Sequence, residues 1–559
     1  MTPEQARPES AAPRKRRGVV IVAVLVVVVI LLLAGYQYTD MMTAEYRASE
    51  NAHRVLQARA LADSGIHYAT GLLADDTNFN TVLNGNFWNN SAFQNIEIMD
   101  AGGSKVIGKC SIICPTDPDD PGTTASTVQY GVIDESSKIN LNALMVLDPT
   151  GQTLYGMLML LPNMTDPIAC SIVNWMMPST GTPMPDGQTD YSSMGYQIKN
   201  GPIDSIDELM LVSGVTWQLL YGADTNRNGT QDQPPTDLSG TATVTPPANN
   251  FDRGWSAYLT VHSREQNYDY TGNPYVFVNN PSMAQLNQLL QQQTELDSSL
   301  ATFIQMYRQY GPASGATGKS QSLAATIVSL FSKGSSNSSN STSTSTKQGN
   351  VANYQVDTTK PGKYTITSLW QLVNASVSIQ STDPNTKKTI TTSYASPLND
   401  ASQQATLLPQ LFMYCTLAPG NEMPARINVN TAPSTVLTTL TGIPNSPLTT
   451  NDVANIIQTR PTLTTTGPAN PIFQTPAWLY TQAKIKLSTL QQLDPYITTR
   501  AQVFRIQAVG YFDGKGPTAR MEAVIDTNMQ GRPRILMSRP LGELGKGWDI
   551  NQLTNDGSS

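Results

Sequence analysis

The chain is poor in the residues that build catalytic and metal centres. It carries three histidines and four cysteines in 559 residues. His53, His67 and His262 lie far from any cysteine pair, so a zinc site has no ligand set. Four cysteines are too few for a disulfide framework. Cys170 and Cys415 stand alone; for Cys110 and Cys114, which flank Ser-Ile-Ile, a disulfide and free thiols both remain open. Charged residues make up only 14%, with a net charge of −7, which gives no basic surface for nucleic acid. There is no G-x-S-x-G elbow, H-E-x-x-H helix or phosphate loop, and scattered Ser, His and Asp residues assemble no triad. Enzymatic activity is not expected.

Long apolar runs are absent except for one. Arg14-Lys15-Arg16-Arg17 and Gly18 precede an unbroken apolar run from Val19 to Ala34. As a helix the run spans about 24 Å, a little short of a hydrocarbon core, so Gly35 and Tyr36 complete it at the interface. Basic residues stay on the cytoplasmic side. The expected location is therefore the inner membrane: single-pass, N-terminus cytoplasmic, the bulk of the chain periplasmic. A cleaved secretory signal fits poorly, because Ala34-Gly35-Tyr36 is a weak small-residue site. Between Tyr36 and Gly65 there is neither glycine nor proline. Ala48, Ala52, Val55, Ala62, Ile66, Ala69 and Leu73 line one helical face, interrupted by the charge of Arg59. The pattern predicts one nearly continuous helix from Val19 to Leu73, about 80 Å long.

The length predicts two or three domains. Short apolar runs joined by Asn/Gly/Asp turns over 77–135 read as strands (Ile96–Met99, Lys105–Ile107, Val128–Val132). Residues 136–235 read as a helical bundle, and 236–279 as a linker with a strand near Tyr258–His262. Residues 280–423 read as a poorly packed insertion containing a Ser/Thr/Asn linker at 334–349. Residues 424–500 read as a second bundle. In 501–559, the period-two runs Val503–Tyr511 and Ala519–Asp526 around Gly-Lys-Gly-Pro predict a hairpin, followed by a tail. The two bundles are an internal repeat: Lys138-Ile139-Asn140-Leu141-Asn142 resembles Arg426-Ile427-Asn428-Val429-Asn430, and DSIDELMLVSGVTWQLL resembles PAWLYTQAKIKLSTLQQL. Asp204, Asp207 and Glu208 suit a helix first turn. Asp134 and Glu135 read as caps or bridges, and Asp117-Pro118-Asp119-Asp120 as solvated loop.

The leader, the apolar run and the amphipathic helix resemble the N-terminus of type II secretion pseudopilins. With both INxN segments in order, the chain resembles the K-type minor pseudopilin (general secretion pathway protein K) over 14–75, 130–262 and 424–528. The resemblance implies an α+β fold: a pilin-like long N-terminal helix and antiparallel sheet, with an inserted α-helical domain of two related bundles. It implies a prepilin leader, 1–18, removed by the prepilin peptidase between Gly18 and Val19, and a pilin helix over 19–76. Most pilins carry a glutamate at the fifth mature position. Here that position is Ala23, which implies a subunit with no neighbour ahead of it, at the filament tip. The implied function is a structural tip subunit that caps the pseudopilus and assists protein export. Its implied partners are other minor pseudopilins, met mainly through the 36–73 stripe, with Ala48, Ala52 and Val55 on it. The alternatives are a membrane-anchored periplasmic binding protein or enzyme on a helical stalk, or a helix-hairpin-helix DNA-binding competence protein. The last is suggested by Leu440-Thr441-Gly442-Ile443-Pro444, but residues 428–459 hold no Lys or Arg, so no nucleic-acid partner is expected.

One motif suggests a cofactor. Asp224, Asn226, Asn228, Thr230 and Asp232, with Gly229 at the sixth position, match the front of an EF-hand-type Ca2+ loop. Thr230 would contribute its carbonyl. Pro235 stands where the closing glutamate belongs, so the affinity should be weak; the alternative is an Asn/Gly/Asp surface turn.

Overall fold

The computed structural model describes residues 17–99, 107–115, 119, 129–187, 189–229, 253–269, 272–313, 346–382, 389–461, 470–513, 516–527, 532–545, 547–548 and 553. The fold is α+β. Helix α1 (Arg17–Ala74) is unbroken over 58 residues, about 87 Å. Its first part is rich in Val and Ile, weak helix formers in water. In lipid the backbone must satisfy its own hydrogen bonds, which selects the helix regardless. Val19–Leu33 is 45–68% exposed at its large side chains, so none of the described residues covers it. It is the one segment among the described residues long and apolar enough to span a membrane.

The distal end of α1 lies on a seven-stranded antiparallel sheet. Its strands are β1 (Ile96–Met99), β2 (Gly108–Cys114), β3 (Gln129–Tyr130), β4 (Ile133–Asp134), β5 (Val503–Phe512), β6 (Ala519–Asp526) and β7 (Arg534–Pro540). The order is β1-β2-β5-β6-β7, with β3 on β2 and β4 on β5. The β5–β6 hairpin forms as the alternation predicts, with Phe504 opposite Ile525 and Gln507 opposite Glu522. Phe504, Ile506, Ala508, Met521, Ala523 and Ile525 face Ala62, Ile66, Ala69 and Leu73 of α1 in one core. The alternate residues of the hairpin face the other way and include Arg505, Gln507 and Glu522. Of the predicted strands before it, 105–106 lie outside the described residues, and the strand begins at Gly108.

Both bundles close by the same device. Ile139-Asn140 pairs in parallel with Leu259-Thr260, and Ile427-Asn428 with Ile497-Thr498. Ile139 N donates to Tyr258 O and Ile427 N to Tyr496 O, each at 2.8 Å. Asn163 and Asn445, each following a proline, are both left-handed, as are Gly214 and Lys484. The bundles meet backbone to backbone. A Cβ on Gly156 would lie 2.0 Å from Gly442 O, and one on Gly442 would lie 2.1 Å from Gly156 O. The turn a helix-hairpin-helix module would present to phosphate is thus packed against the other bundle.

Two expectations are corrected and one open alternative is decided. The described part of 280–423 is well packed, not loose. Helices Met283–Gln292 and Ser298–Tyr310 and the segment Leu369–Leu372 place Leu286, Phe303, Ile304 and Trp370 at 0% exposure within the same core as both bundles. Polar composition hid a few large apolar anchors. Of the expected linker, 334–345 lies outside the described residues, while Thr346–Gly349 is a strand parallel to Thr389–Ala395. Cys110 and Cys114 are free. Four residues apart on an extended strand they stand about 13 Å apart, twice the reach of a disulfide.

Candidate functional site

The residues expected to carry assembly lie on α1. Gly18 and Val19 fall in its first turn, where the leading N–H groups lack intrahelical partners and fraying is cheap. Ala23 lies in the uncovered apolar stretch. The predicted stripe divides. Ala62, Ile66, Ala69 and Leu73 are buried on the chain's own sheet, whereas Ala48, Ala52 and Val55 are exposed, with Tyr36, Met41, Tyr46 and Leu56 around them. Arg59, on the side away from the sheet, is also exposed.

The Asp224 loop is ordered over its first six positions. Asp224 Oδ1 accepts from Asn228 N at 2.9 Å and its Oδ2 from Gly229 N at 2.8 Å; Asn226 Oδ1 accepts from Asn228 N at 2.9 Å. Gly229 is left-handed, and a Cβ there would strike Pro115. Arg520 fastens the outside of the loop, donating to Asn226 O and Arg227 O at 3.0 and 3.1 Å, with its guanidinium 4.8 Å from the Trp548 ring. Arg520 therefore occupies carbonyls that an EF-hand-type loop does not use for the ion. The oxygen donors of Asp224, Asn226 and Asn228 suit a hard cation. Thr230 and Asp232 lie outside the described residues. Among the described residues no three His, Cys, Asp or Glu side chains gather as a metal site, so an ion here would depend on amides and on the loop's second half.

What sequence reading missed is a chain of buried charges between sheet and bundles. Glu135, fully buried, accepts from Arg505 Nε at 2.8 Å and pairs with Lys138 Nζ at 3.3 Å; Thr260 Oγ1 also donates to it. Arg505 Nη1 reaches Glu522 at 3.0 Å, Glu522 takes Arg539 at 2.6 Å, and Arg539 takes Asp207 at 2.6 Å. Asp207 also holds Arg227 at 3.0 Å and Tyr221. Burial pushes the Glu135 carboxyl up, but the Arg505 and Lys138 charges outweigh it and hold it well below the usual range. Glu522 behaves alike between Arg505 and Arg539. Neighbouring Asp134 goes the other way. Burial pushes it up to about 6, although Ser136 N, Asn428 Nδ2 and Thr431 Oγ1 all donate to it at 2.7–2.8 Å. The second bundle repeats the node: Glu265 takes Arg426 at 2.5 and 2.8 Å and Thr498 at 3.1 Å. The signal available in sequence was a cation directly before each INxN segment and a threonine after each Tyr-Leu/Ile.

Two acidic features follow from this geometry. Asp134 caps the segment Glu135–Ser137 and Glu135 is an ion bridge, both within what was expected. Asp119, expected in a solvated loop, instead accepts from Thr435 N at 2.6 Å and Thr435 Oγ1 at 3.1 Å, because helix Ser434–Thr439 has no side-chain cap of its own. Asp117 and Asp120 lie outside the described residues. Ser205 caps the segment Ile206–Leu211, with Asp207 and Glu208 in its first turn.

No protein-family model matches the chain, and no curated protein and no solved structure was found to match it.

Proposed function

We propose that this chain is a K-type minor pseudopilin: the tip subunit of a type II secretion pseudopilus, held in the inner membrane by α1 until assembly. The observation that carries the reading is the division of one helix. Its distal third is buried on an antiparallel sheet of the same chain. Its proximal part offers lipid-soluble surface and then, beyond Tyr36, an apolar stripe at Ala48, Ala52 and Val55 with no cover. A stripe exposed in water calls for a partner, and helices of other minor pseudopilins supply that surface. Ala23 in place of a charge favours the tip, since a carboxylate at that depth in lipid demands a partner. The bundles between β4 and β5 are on this reading the domain inserted in the pilin-like part. Ca2+ at the Asp224 loop would stabilise the junction of the first bundle with the sheet and take no part in chemistry.

The test has two arms. Intact mass of membrane-purified protein should show loss of residues 1–18; a mature N-terminus at Met1 or Thr2 refutes processing. The double change Ala52→Asp and Val55→Asp should leave unfolding unchanged, because both sites are exposed, yet abolish co-purification with the other minor pseudopilins. Retained co-purification and secretion would remove the stripe as the interface.

A further inference from the structure

A cavity of about 250 Å³ opens between the 280–423 segment and the second bundle. A single water needs on the order of 10–15 Å³ of such space, so this one admits a side chain or small molecule. Its walls are partly apolar, with Leu369, Phe412, Leu417 and Met423 among them, and partly polar, with Thr367, Thr416 and Thr498. Three charged side chains line the same space: Arg500 donates to Tyr268 O and to Tyr275 Oη, whereas Arg426 and Asp494 each keep one side-chain atom without a described partner. Arg426 commits Nε and Nη2 to Glu265; its Nη1 donates to no described residue. Asp494 commits Oδ2 to Ser368 Oγ at 2.7 Å and Leu369 N at 3.3 Å; its Oδ1 accepts from none. The two feel each other's charge but form no ion pair, so a gap separates them. Thr475, 2% exposed and also in the lining, has a hydroxyl with no partner. Its counterpart in the first bundle, Ser205, spends that hydroxyl as a cap. The second copy has therefore given up a capping role on the wall of this cavity.

We propose that the cavity is a binding site for an extended polypeptide segment bearing an apolar side chain. The side chain fills the apolar walls. The adjoining peptide group is read by its two ends: Arg426 Nη1 donates to its carbonyl and Asp494 Oδ1 accepts its N–H. A donor and an acceptor held apart over an apolar pocket match an amide. An apolar ligand can fill the walls but leaves both polar atoms unpaired, so it binds more weakly than an amide that pairs them.

The experiment uses the detergent-solubilised full chain and saturation-transfer NMR. The probes are Ac-Gly-Phe-Gly-NH2, the same peptide N-methylated at the glycine following Phe, and propylbenzene, which has no amide. The unmodified peptide should bind, and N-methylation should weaken it about tenfold, the loss of one hydrogen bond to a charged group. Asp494→Asn keeps the shape and an oxygen for Ser368 and Leu369 but turns the second acceptor into a donor. It should weaken the peptide about tenfold and should not weaken propylbenzene, which makes no hydrogen bond to it. Ala418→Trp, at the cavity rim, should abolish both. No saturation by the peptide, or equal binding of both peptides to the wild type and to Asp494→Asn, overturns the assignment. If Ala418→Trp fails to fold, the Asp494→Asn comparison decides alone.

Discussion

Replacing Glu135 by Gln tests the buried charge chain at its centre. The change is isosteric and leaves Arg505 with Glu522 alone and Lys138 with only a carbonyl, Ser256 O at 3.2 Å. Breaking a buried pair from one side costs about 3–5 kcal/mol, because the remaining charge is uncompensated; partial cover by Glu522 places the expectation at about 3 kcal/mol. Urea unfolding of the detergent-solubilised chain, followed by tryptophan fluorescence, measures it. The pH dependence identifies the cause. Glu135 has its folded pKa depressed, so its contribution is present above the unfolded value of about 4.3 and is lost as pH falls through the folded one. The gap between wild type and Glu135→Gln should be full at pH 7 and close on acidification below about pH 4. Asp134 has the opposite sign. Its folded pKa, about 6, lies above the unfolded value, so its contribution is complete below about pH 4 and is lost as pH rises through 6. That loss is on the order of 3 kcal/mol for two units. Asp494 is also raised by burial, so the difference between wild type and Asp134→Asn, not the raw curve, isolates Asp134. A Glu135→Gln gap that does not vary with pH, or one under about 1 kcal/mol, would refute the claim that this chain of charges is intact and buried.

Two further outcomes are expected. Gly156→Ala should destabilise the protein by about 1–3 kcal/mol, since its Cβ would meet Gly442 O and a backbone atom cannot step aside; Gly442→Ala should do the same, and the double variant should cost less than the sum. A melting curve for Gly156→Ala identical to wild type would show that the bundles do not meet there. Thermal unfolding should shift upward in millimolar Ca2+ and not in Mg2+, by about 2.7 kcal/mol at a hundredfold excess over Kd. Asp224→Ala should lower stability without the ion, by freeing Gly229 N and leaving Asn228 N with Asn226 Oδ1 alone, and also abolish the Ca2+-dependent shift; a calcium shift that survives the change would place the ion elsewhere.

The elements with one dominant period were legible. Helix α1 could be read because apolar residues either fill every position or recur on one face, and the β5–β6 hairpin because it alternates. The repeat was legible from its asparagines, whose job is local: Asn140 caps the following helix, accepting from Ala143 N at 3.0 Å. Strand β7 was not, because it carries Arg534 and Arg539 and its register to β6 shifts between Val524 and Ile525, which breaks the alternation. The packing of 280–423 was not, because its anchors are few and distant along the chain, as with Trp370 against Phe412 at 4.6 Å between ring centres. The charge chain was legible only at one end, where Glu135 reads as a cap or bridge; its partner Arg505 lies 370 residues away, and nothing local joins the two. The apolar stripe along α1 divides between residues buried on the sheet and the exposed Ala48, Ala52 and Val55. Periodicity finds an apolar face, but it cannot say which turns the chain itself will cover.

The position of that pair explains why so costly an interaction sits there. Strand β4 ends at Asp134 and β5 begins at Val503, and the two are neighbours in the sheet, with Phe504 opposite Asp134 and Arg505 opposite Ile133. Everything from 135 to 502, both bundles and the segment between them, leaves and rejoins the sheet at adjacent points. A unit of that size on a two-strand neck would rock if only backbone held it. Glu135 is the first residue out and Arg505 lies just inside the return, and their charge-assisted bonds join the two sides of the neck. Arg539 to Asp207 adds a second tie farther out, from β7 to the first bundle, and Asp134 to Asn428 and Thr431 a third, from the neck to the second bundle. Three ties from different strands fix a body against rotation where one would leave a hinge. A buried ion pair is poor value as a source of stability, but here it fixes orientation. On the proposed reading, a subunit at the tip of a filament must pass a push along α1 into the domain ahead of it, and a welded neck transmits that push where a hinge would absorb it.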